Sequence, residues 1–446
     1  MDEFLSDPLI WLVAGAFVAL APAVKYRTAW LAAVALFMWA DSVMPGREAA
    51  LVLRAPALAA LLLSGAFRFR SVRAGVRPPW PAVLIAVLAT ASIAYAEDRK
   101  FAALSVAMLI GLGVLAFVFV PRSVASVDGC RRAFLGLMLV LLGLVLLGLV
   151  PIGRGSEETS LVLGDRWRGF FVNPNALGST TALVTPWLIV MAPRERGRAR
   201  AAAFAAVIAL VVICWLSGSR TAFGGLLIGG AIALWHRVRA RLLIAVAAAG
   251  VLVGALAVSD VDLKAGRVGD MTRAETISNF SGRVELWGIG LRLAKDSPVL
   301  GHGYKGSRFV EILEEEAGGN VISVKTQGVN FHSQWVETLV DLGVPGAALL
   351  LLLLYVVGKR ILAIGRGSRD PAVHGMRAAL LGTHLYVVLD SFLNNWLLTP
   401  GSPPALVYWS MIGLAFRLDV LAKQEGAMLD PPAAASPLPR VMAAPA

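Results

Sequence analysis

Apolar runs long enough to cross about 30 Å of hydrocarbon recur along nearly the whole chain, and that recurrence decides which solvent the fold must satisfy. They fall at roughly 9–24, 28–44, 49–67, 80–96, 101–120, 132–152, 174–192, 201–217, 220–236, 241–259, 336–358, 374–398 and 403–421, twelve or thirteen spans in all, the first three being short or interrupted by Arg54. Only 16% of the 446 residues are charged and 57% are hydrophobic, whereas a soluble domain carries about a quarter charged residues. In hydrocarbon every backbone N–H and C=O must be satisfied within the protein. The chain is therefore expected to be an all-α polytopic bundle. The first run leads directly into further spans without a small-residue cleavage pattern, so it reads as a retained span. Cys130, read in a basic loop, and Cys214, in a span, form neither a disulfide framework nor a metal set.

Lysine and arginine collect on the cytoplasmic side of a membrane protein. Basic groups stand at Arg68, Arg70, Arg73 and Arg77; at Arg122, Arg131 and Arg132; at Arg194, Arg196, Arg198 and Arg200; at Arg237, Arg239 and Arg241; and at Lys359, Arg360, Arg366 and Arg369. Each group lies two spans from the next, as alternation requires. The net charge of +12 is thus a topology signal, and nucleic acid is disfavoured because no one face gathers the cations. Alternation leaves residues 153–173, the turn 217–219, the long segment 260–335 and the turn 399–402 on the outer side. The organisation read from these boundaries is N-terminal spans over 1–152, central spans over 153–259, an outer segment over 260–335, C-terminal spans over 336–421 and a Pro/Ala-rich disordered cytoplasmic tail over 422–446.

Three outward residues carry the functional reading. Arg220, in W-L-S-G-S-R-T-A-F-G-G, starts the helix after a tight hairpin. Its guanidinium either snorkels to the headgroups or pairs bidentately with a phosphate that the free N–H groups of the helix start also favour. Arg283 shares one helical face with Leu286, Trp287, Gly290 and Ala294, with Arg292 on the other side; the alternative for it is a surface ion pair. His332 opens the span after the outer segment, where the helix dipole favours the neutral imidazole that a general base must be. A structural histidine is the plainer alternative. Asp390, with Asn394 and Asn395, makes a polar stripe in an apolar span and is a candidate partner for His332 or an arginine. Gly301-His302-Gly303-Tyr304-Lys305-Gly306 has dinucleotide-loop spacing but follows no strand, so it reads as a turn packing on the preceding helix. Asp260 and Asp262 form a weak metal pair without a third ligand.

Five elements in order, G-F-F-V-N-P-N-A-L-G at 169–178, S-G-S-R-T-A at 217–222, S-G-R-V-E-L-W at 281–287, S-P-V-L-G-H-G-Y at 297–304 and H-S-Q-W-V-E-T-L-V-D-L-G-V-P-G at 332–346, resemble the O-antigen ligase and polymerase superfamily of polytopic bacterial glycosyltransferases. The resemblance covers about 166–346, with a weaker extension to Asp390. It implies transfer of a glycan from undecaprenyl diphosphate to a sugar hydroxyl of lipid A core at the periplasmic face of the inner membrane, inverting and without a metal or other cofactor. Carried over by position, Arg220 and Arg283 hold the diphosphate and His332 is the base or acceptor-orienting group. Arg166 and Arg168 are further candidates for diphosphate or core phosphate, and Asp390 is the substrate-side carboxylate. The polymerase or a protein O-oligosaccharyltransferase of the same superfamily, and a non-catalytic transporter of the lipid-linked glycan, are the competing readings.

Overall fold

The structure, a computed structural model, describes residues 25–40, 42, 47–69, 76–147, 162–163, 166–169, 171–234, 283–305, 331–366, 368–399 and 401–429. Their helices are α1 (Tyr26–Ala40), α2 (Arg47–Arg68), α3 (Trp80–Ser92), α4 (Arg99–Arg122), α5 (Val127–Leu147), α6 (Pro174–Met191), α7 (Gly197–Leu216), α8 (Arg220–Leu234), α9 (Arg283–Asp296), α10 (Gln334–Ala363), α11 (Pro371–Asp390) and α12 (Pro403–Leu429). Among the described residues, strands are limited to one antiparallel pair, β1 (Val162–Leu163) and β2 (Arg166–Trp167). The protein is an all-α polytopic membrane protein: among the described residues six helices are long and apolar enough to span, and α3 and α8 are shorter apolar helices. The expected spans at 9–24 and 241–259 and the pair Asp260 and Asp262 lie outside the described residues.

The polar ends of the helices segregate into two sets, as the alternation of basic loops requires. At one end Arg194 donates to the Pro371 carbonyl, Arg360 to the Arg77 carbonyl and Arg417 to the Val124 carbonyl. At the other, Tyr95 donates to the Leu300 carbonyl, the Tyr304 N–H to Ser92, and the Gln334 N–H to the carbonyls of Ser391 and Asn394. This second end carries every candidate site residue.

Small residues let the central helices meet. A methyl built on Gly229 of α8 would lie 2.9 Å from the Gly382 carbonyl oxygen of α11, and one built on Gly178 of α6 would lie 2.7 Å from the Ser219 Cβ. Backbones this close gain dispersion that lipid would otherwise supply, which is how helices associate without a hydrophobic driving force between them. The α6–α8–α11 trio so formed holds the hairpin between α7 and α8 against the start of α6.

Helix α10 is broken. Gly343 takes φ 67°, ψ −169°, and Pro345 has no N–H, so the carbonyls of Val340 and Asp341 lose their partners four residues on. Both are recovered from the chain at 301–303. The His302 N–H donates to the Val340 carbonyl at 2.8 Å, the Gly303 N–H to the Asp341 carbonyl at 3.0 Å, and the Val344 N–H turns to the Pro298 carbonyl at 2.8 Å. Gly343 must be glycine for space as well as for φ, since a Cβ there would lie 2.6 Å from the Val299 oxygen.

Four expectations change. The span expected over 374–398 ends at Asp390, whose carboxylate takes the Asn394 amide and the Trp396 indole N–H and so ends the helix. The run at 336–358 is a half-helix followed by a longer one. The tail is helical to Leu429, because Ala, Lys, Gln and Glu are good helix formers and Lys423 pairs with Asp419 one turn back; residues from 430 lie outside the described set. Cys130 sits buried in the first turn of α5 rather than in a loop.

Replacing Gly229 with Leu is expected to lower the thermal unfolding midpoint in detergent, at a cost of about 1–3 kcal/mol from overpacking. Gly224→Leu, where nothing lies within 4 Å of the added atom, is expected to leave the midpoint unchanged, and equal midpoints for the two variants would contradict this packing.

Candidate functional site

The N-P-N element is a helix start. Asn173 takes extended backbone and its side-chain oxygen accepts the Ala176 N–H at 2.9 Å, while Pro174 occupies the first turn, where no N–H is needed. Asn175 points back to Arg166, accepting from Nη2 at 2.7 Å, and the Arg166 Nε donates to the Ser217 carbonyl at 2.8 Å. Ser217 and Gly218 make the hairpin, Gly218 at φ 60°, and α8 starts at Arg220. Arg220 is therefore the first residue of a helix whose N-terminal N–H groups project with it. Arg168 is nearly buried and bonds the Val172 carbonyl at 3.4 Å; burial pulls its guanidinium below the ordinary range.

Helix α9 presents the face predicted for it. The Trp287 indole N–H donates to the Phe331 carbonyl at 2.9 Å. Gly290 lies against Phe331 and Val336 so closely that a Cβ would sit 3.0 Å from the Phe331 ring. Ile289, Phe331, Val336 and Val340 form a small core with Leu286, Trp287 and Ala294 packed on it. This core locks α9 to the start of α10, placing Arg283 beside His332.

His332 takes φ 48°, a left-handed conformation uncommon for a residue with a side chain and costing on the order of 1–3 kcal/mol. Its neighbours hold it there. Ser333 caps α10 by accepting from the Val336 N–H at 3.4 Å. The Gln334 N–H donates to the carbonyls of Ser391 and Asn394, and its Oε1 accepts the Leu398 N–H at 2.9 Å. The Trp335 indole N–H donates to Ser391 at 3.0 Å. Thus the H-S-Q-W element is fastened on one side to α9 and on the other to residues 390–398.

Electrostatic coupling draws the predicted residues together. Burial, reinforced by the Arg283 cation, pushes the His332 imidazole down from 6.5 to about 4, so it is neutral at neutral pH. Burial likewise pulls Arg283 down, with the Asp390 carboxylate opposing and Arg220 adding to the effect. Arg220, Arg283, His332 and Asp390 therefore share one electrostatic neighbourhood. Arg166 joins it through the hairpin. Asp390 acts on Arg283, one of the two partners expected for it.

A second charged group was not foreseen. Lys305, also left-handed at φ 54°, pairs with Glu337 on the first turns of α10, and Asn395 donates to the same carboxylate. Asp341 lies close enough to oppose the burial that pulls the Lys305 ammonium down. The spacing of Glu337 and Asp341, one turn apart, was visible in the sequence; that Lys305 folds back onto them depends on the 301–303 turn capping the broken helix. That turn packs on the following helix as well as on the preceding one, where the His302 ring meets the Leu293 carbonyl at 2.9 Å. Among the described residues no three His, Cys, Asp or Glu side chains gather in a metal-holding group.

The fold and this end of it define a polytopic helical membrane protein in which a neutral histidine lies beside Arg283, itself coupled to Arg220 and Asp390. Residues 176–351 match the family described as O-Antigen ligase. A stretch of 167 residues is 28% identical to the exopolysaccharide production protein ExoQ of Rhizobium meliloti, covering 36% of this chain and 36% of that relative, so the chain aligns with about a third of the relative's length. The matched residues make this chain similar to the O-antigen ligase family over its central part. Arg220, Arg283 and His332 fall inside the matched residues; Arg166 and Arg168 precede them and Asp390 follows.

Because the folded site refuses a proton that the unfolded chain accepts, this histidine's contribution to stability is complete above about pH 6.5 and is lost as pH falls toward about 4. Arg283→Gln is expected to raise the His332 pKa, read from the imidazole nitrogen shifts of selectively labelled protein. An unchanged titration would separate the two residues.

Proposed function

We propose that the protein transfers a glycan from undecaprenyl diphosphate to a sugar hydroxyl of lipid A core, at the periplasmic end of its helices in the bacterial inner membrane. The observation that supports this best is the pairing of a neutral, strained His332 with Arg283, itself coupled to Arg220 and Asp390. The outer orientation of this end rests on the placement of basic residues, and the substrate class on the O-antigen ligase family match.

In this reading the acceptor oxygen attacks the anomeric carbon as the bond from that carbon to the diphosphate oxygen breaks. The leaving diphosphate keeps the electron pair. Its charge is met by the guanidinium groups of Arg220 and Arg283 and by the N–H groups at the start of α8, fixed in a site partly closed to water, where such donors act most strongly. The hydroxyl proton passes to the His332 ring, which can accept it because it is neutral. Attack opposite the leaving group inverts the anomeric centre. Arg168, which bonds the Val172 carbonyl ahead of α6, is a further phosphate candidate, and Asp390, coupled to Arg283, offsets part of the positive charge. A diphosphate is already a good leaving group, so two arginines can do what a divalent cation does elsewhere.

Polymerisation of lipid-linked repeats is the second reading, favoured by the similarity to a protein named for exopolysaccharide production. It uses the same donor chemistry with a second lipid-linked glycan as acceptor.

Purified protein in lipid nanodiscs, given lipid-linked glycan and either lipid A core or a second lipid-linked glycan, is expected to form product with core and to keep its rate in the presence of a chelator. His332→Ala is expected to lower kcat by roughly 10²–10⁴-fold, and Arg220→Lys to cost at least roughly tenfold because the fork is lost while the charge remains. Product only with the second lipid-linked glycan supports the polymerase, full activity of His332→Ala removes the base, and abolition by chelator removes the arginine-only account.

A further inference from the structure

We infer that Arg166 is a positioning residue that sets the direction of Arg220, rather than a ligand of the substrate's phosphates; this rests on the reading of Arg220 as a diphosphate ligand. Two of its donors are committed within the protein: Nε to the Ser217 carbonyl at 2.8 Å and Nη2 to the Asn175 side chain at 2.7 Å. Its stem covers the turn. A Cβ placed on Gly218 would lie 3.0 Å from the Arg166 Nε and 3.3 Å from its Cγ. On the opposite side Gly178 leaves room for Ser219 and Ser217, their nearest atoms 2.7 and 2.9 Å from where its Cβ would be. The hairpin is thus clamped between the Arg166 side chain and the first turns of α6, and Arg220 is the next residue.

The clamp also connects two motifs that are far apart in sequence. Asn175 belongs to N-P-N, whose first asparagine caps α6; Ser217 belongs to S-G-S-R-T-A. One guanidinium holds both, so the α6 cap and the α8 start move as a unit. A lysine has one donor centre and no fork, and it cannot reach a carbonyl and an amide in that geometry. Charge at this position is secondary to shape.

The test uses full-length protein in nanodiscs with undecaprenyl diphosphate, carrying no glycan, as the binding probe, alongside transfer kinetics and thermal midpoints. Positioning predicts that Arg166→Lys weakens probe binding as much as Arg166→Ala, by tenfold or more, and that Asn175→Ala weakens it too while Asn175→Asp, which keeps the acceptor oxygen, restores it. It further predicts that Arg166→Lys with Asn175→Ala is no worse than either alone, because both remove one clamp, and that Arg220→Ala adds nothing in the Arg166→Lys background. Direct ligation predicts the reverse: Arg166→Lys keeps most of the affinity, Asn175→Ala is silent, and losses at Arg166 and Arg220 multiply. That pattern would overturn the inference, as would equal loss of affinity in Asn175→Asp and Asn175→Ala. Midpoints that match wild type keep unfolding apart from misdirection. Wild-type protein that binds the probe but transfers no glycan would refute the enzymatic reading and leave the clamp standing; wild-type protein that does not bind it would refute the reading of Arg220 on which the clamp's role rests.

Discussion

The N–H groups of His302 and Gly303 take the two carbonyls that α10 frees where Gly343 turns and Pro345 lacks a donor. In a bilayer such carbonyls cost several kcal/mol each if left bare. Capping them allows the helix to break, and the break gives the site its half-helix. The same turn carries Lys305 onto Glu337 and sends the Tyr304 hydroxyl to the Leu398 carbonyl, so residues 394–398 are held where they can fasten Gln334. His332 sits at the head of that half-helix in a left-handed conformation, between segments fastened on both sides. Remove the capping turn and the histidine loses its support from three directions.

Charge is managed at this end by distributing it. Arg220, Arg283 and Arg166 come from separate elements: Arg283 is coupled to the Asp390 carboxylate, Arg166 is held by the hairpin backbone and the Asn175 side chain, and Arg220 stands at a helix start, whose positive end favours an anion beside it. A guanidinium half withdrawn from water needs such company. The consequence for His332 is that it faces a cation while partly buried, both of which disfavour its own charge. The imidazole therefore stays neutral although an arginine lies beside it, which is the state that the proposed role as a base requires.

The all-α class, the basic-loop alternation and the helix starts at Pro174 and Arg220 were legible in the sequence because they depend on local rules: apolar length, proline at a helix start, glycine in a hairpin. Arg283 with Trp287 and Gly290 on one face followed from helical periodicity. What was not legible depended on partners distant in sequence. The end of α11 at Asp390 needs Asn394 and Trp396 to wrap back on the carboxylate, and the apolar residues after it hid that turn. Lys305 looked like the tail of a glycine-rich loop until the broken helix was seen to receive it. Arg166 invited a phosphate role by its charge; its hydrogen bonds to the Ser217 carbonyl and the Asn175 side chain depend on where distant segments meet, which no local pattern gives. The helical extension to Leu429 was masked by the Pro/Ala-rich composition that follows it.

The central claim is that one diphosphate is held between Arg220 and Arg283 beside His332. Solid-state NMR dephasing between ³¹P of bound undecaprenyl diphosphate and ¹⁵N of arginine guanidinium groups, with each arginine identified by its Lys variant, measures that contact directly. The account predicts strong dephasing that weakens separately in Arg220→Lys and Arg283→Lys. Dephasing that survives in both variants, or is absent from the wild type under saturating probe, would contradict it.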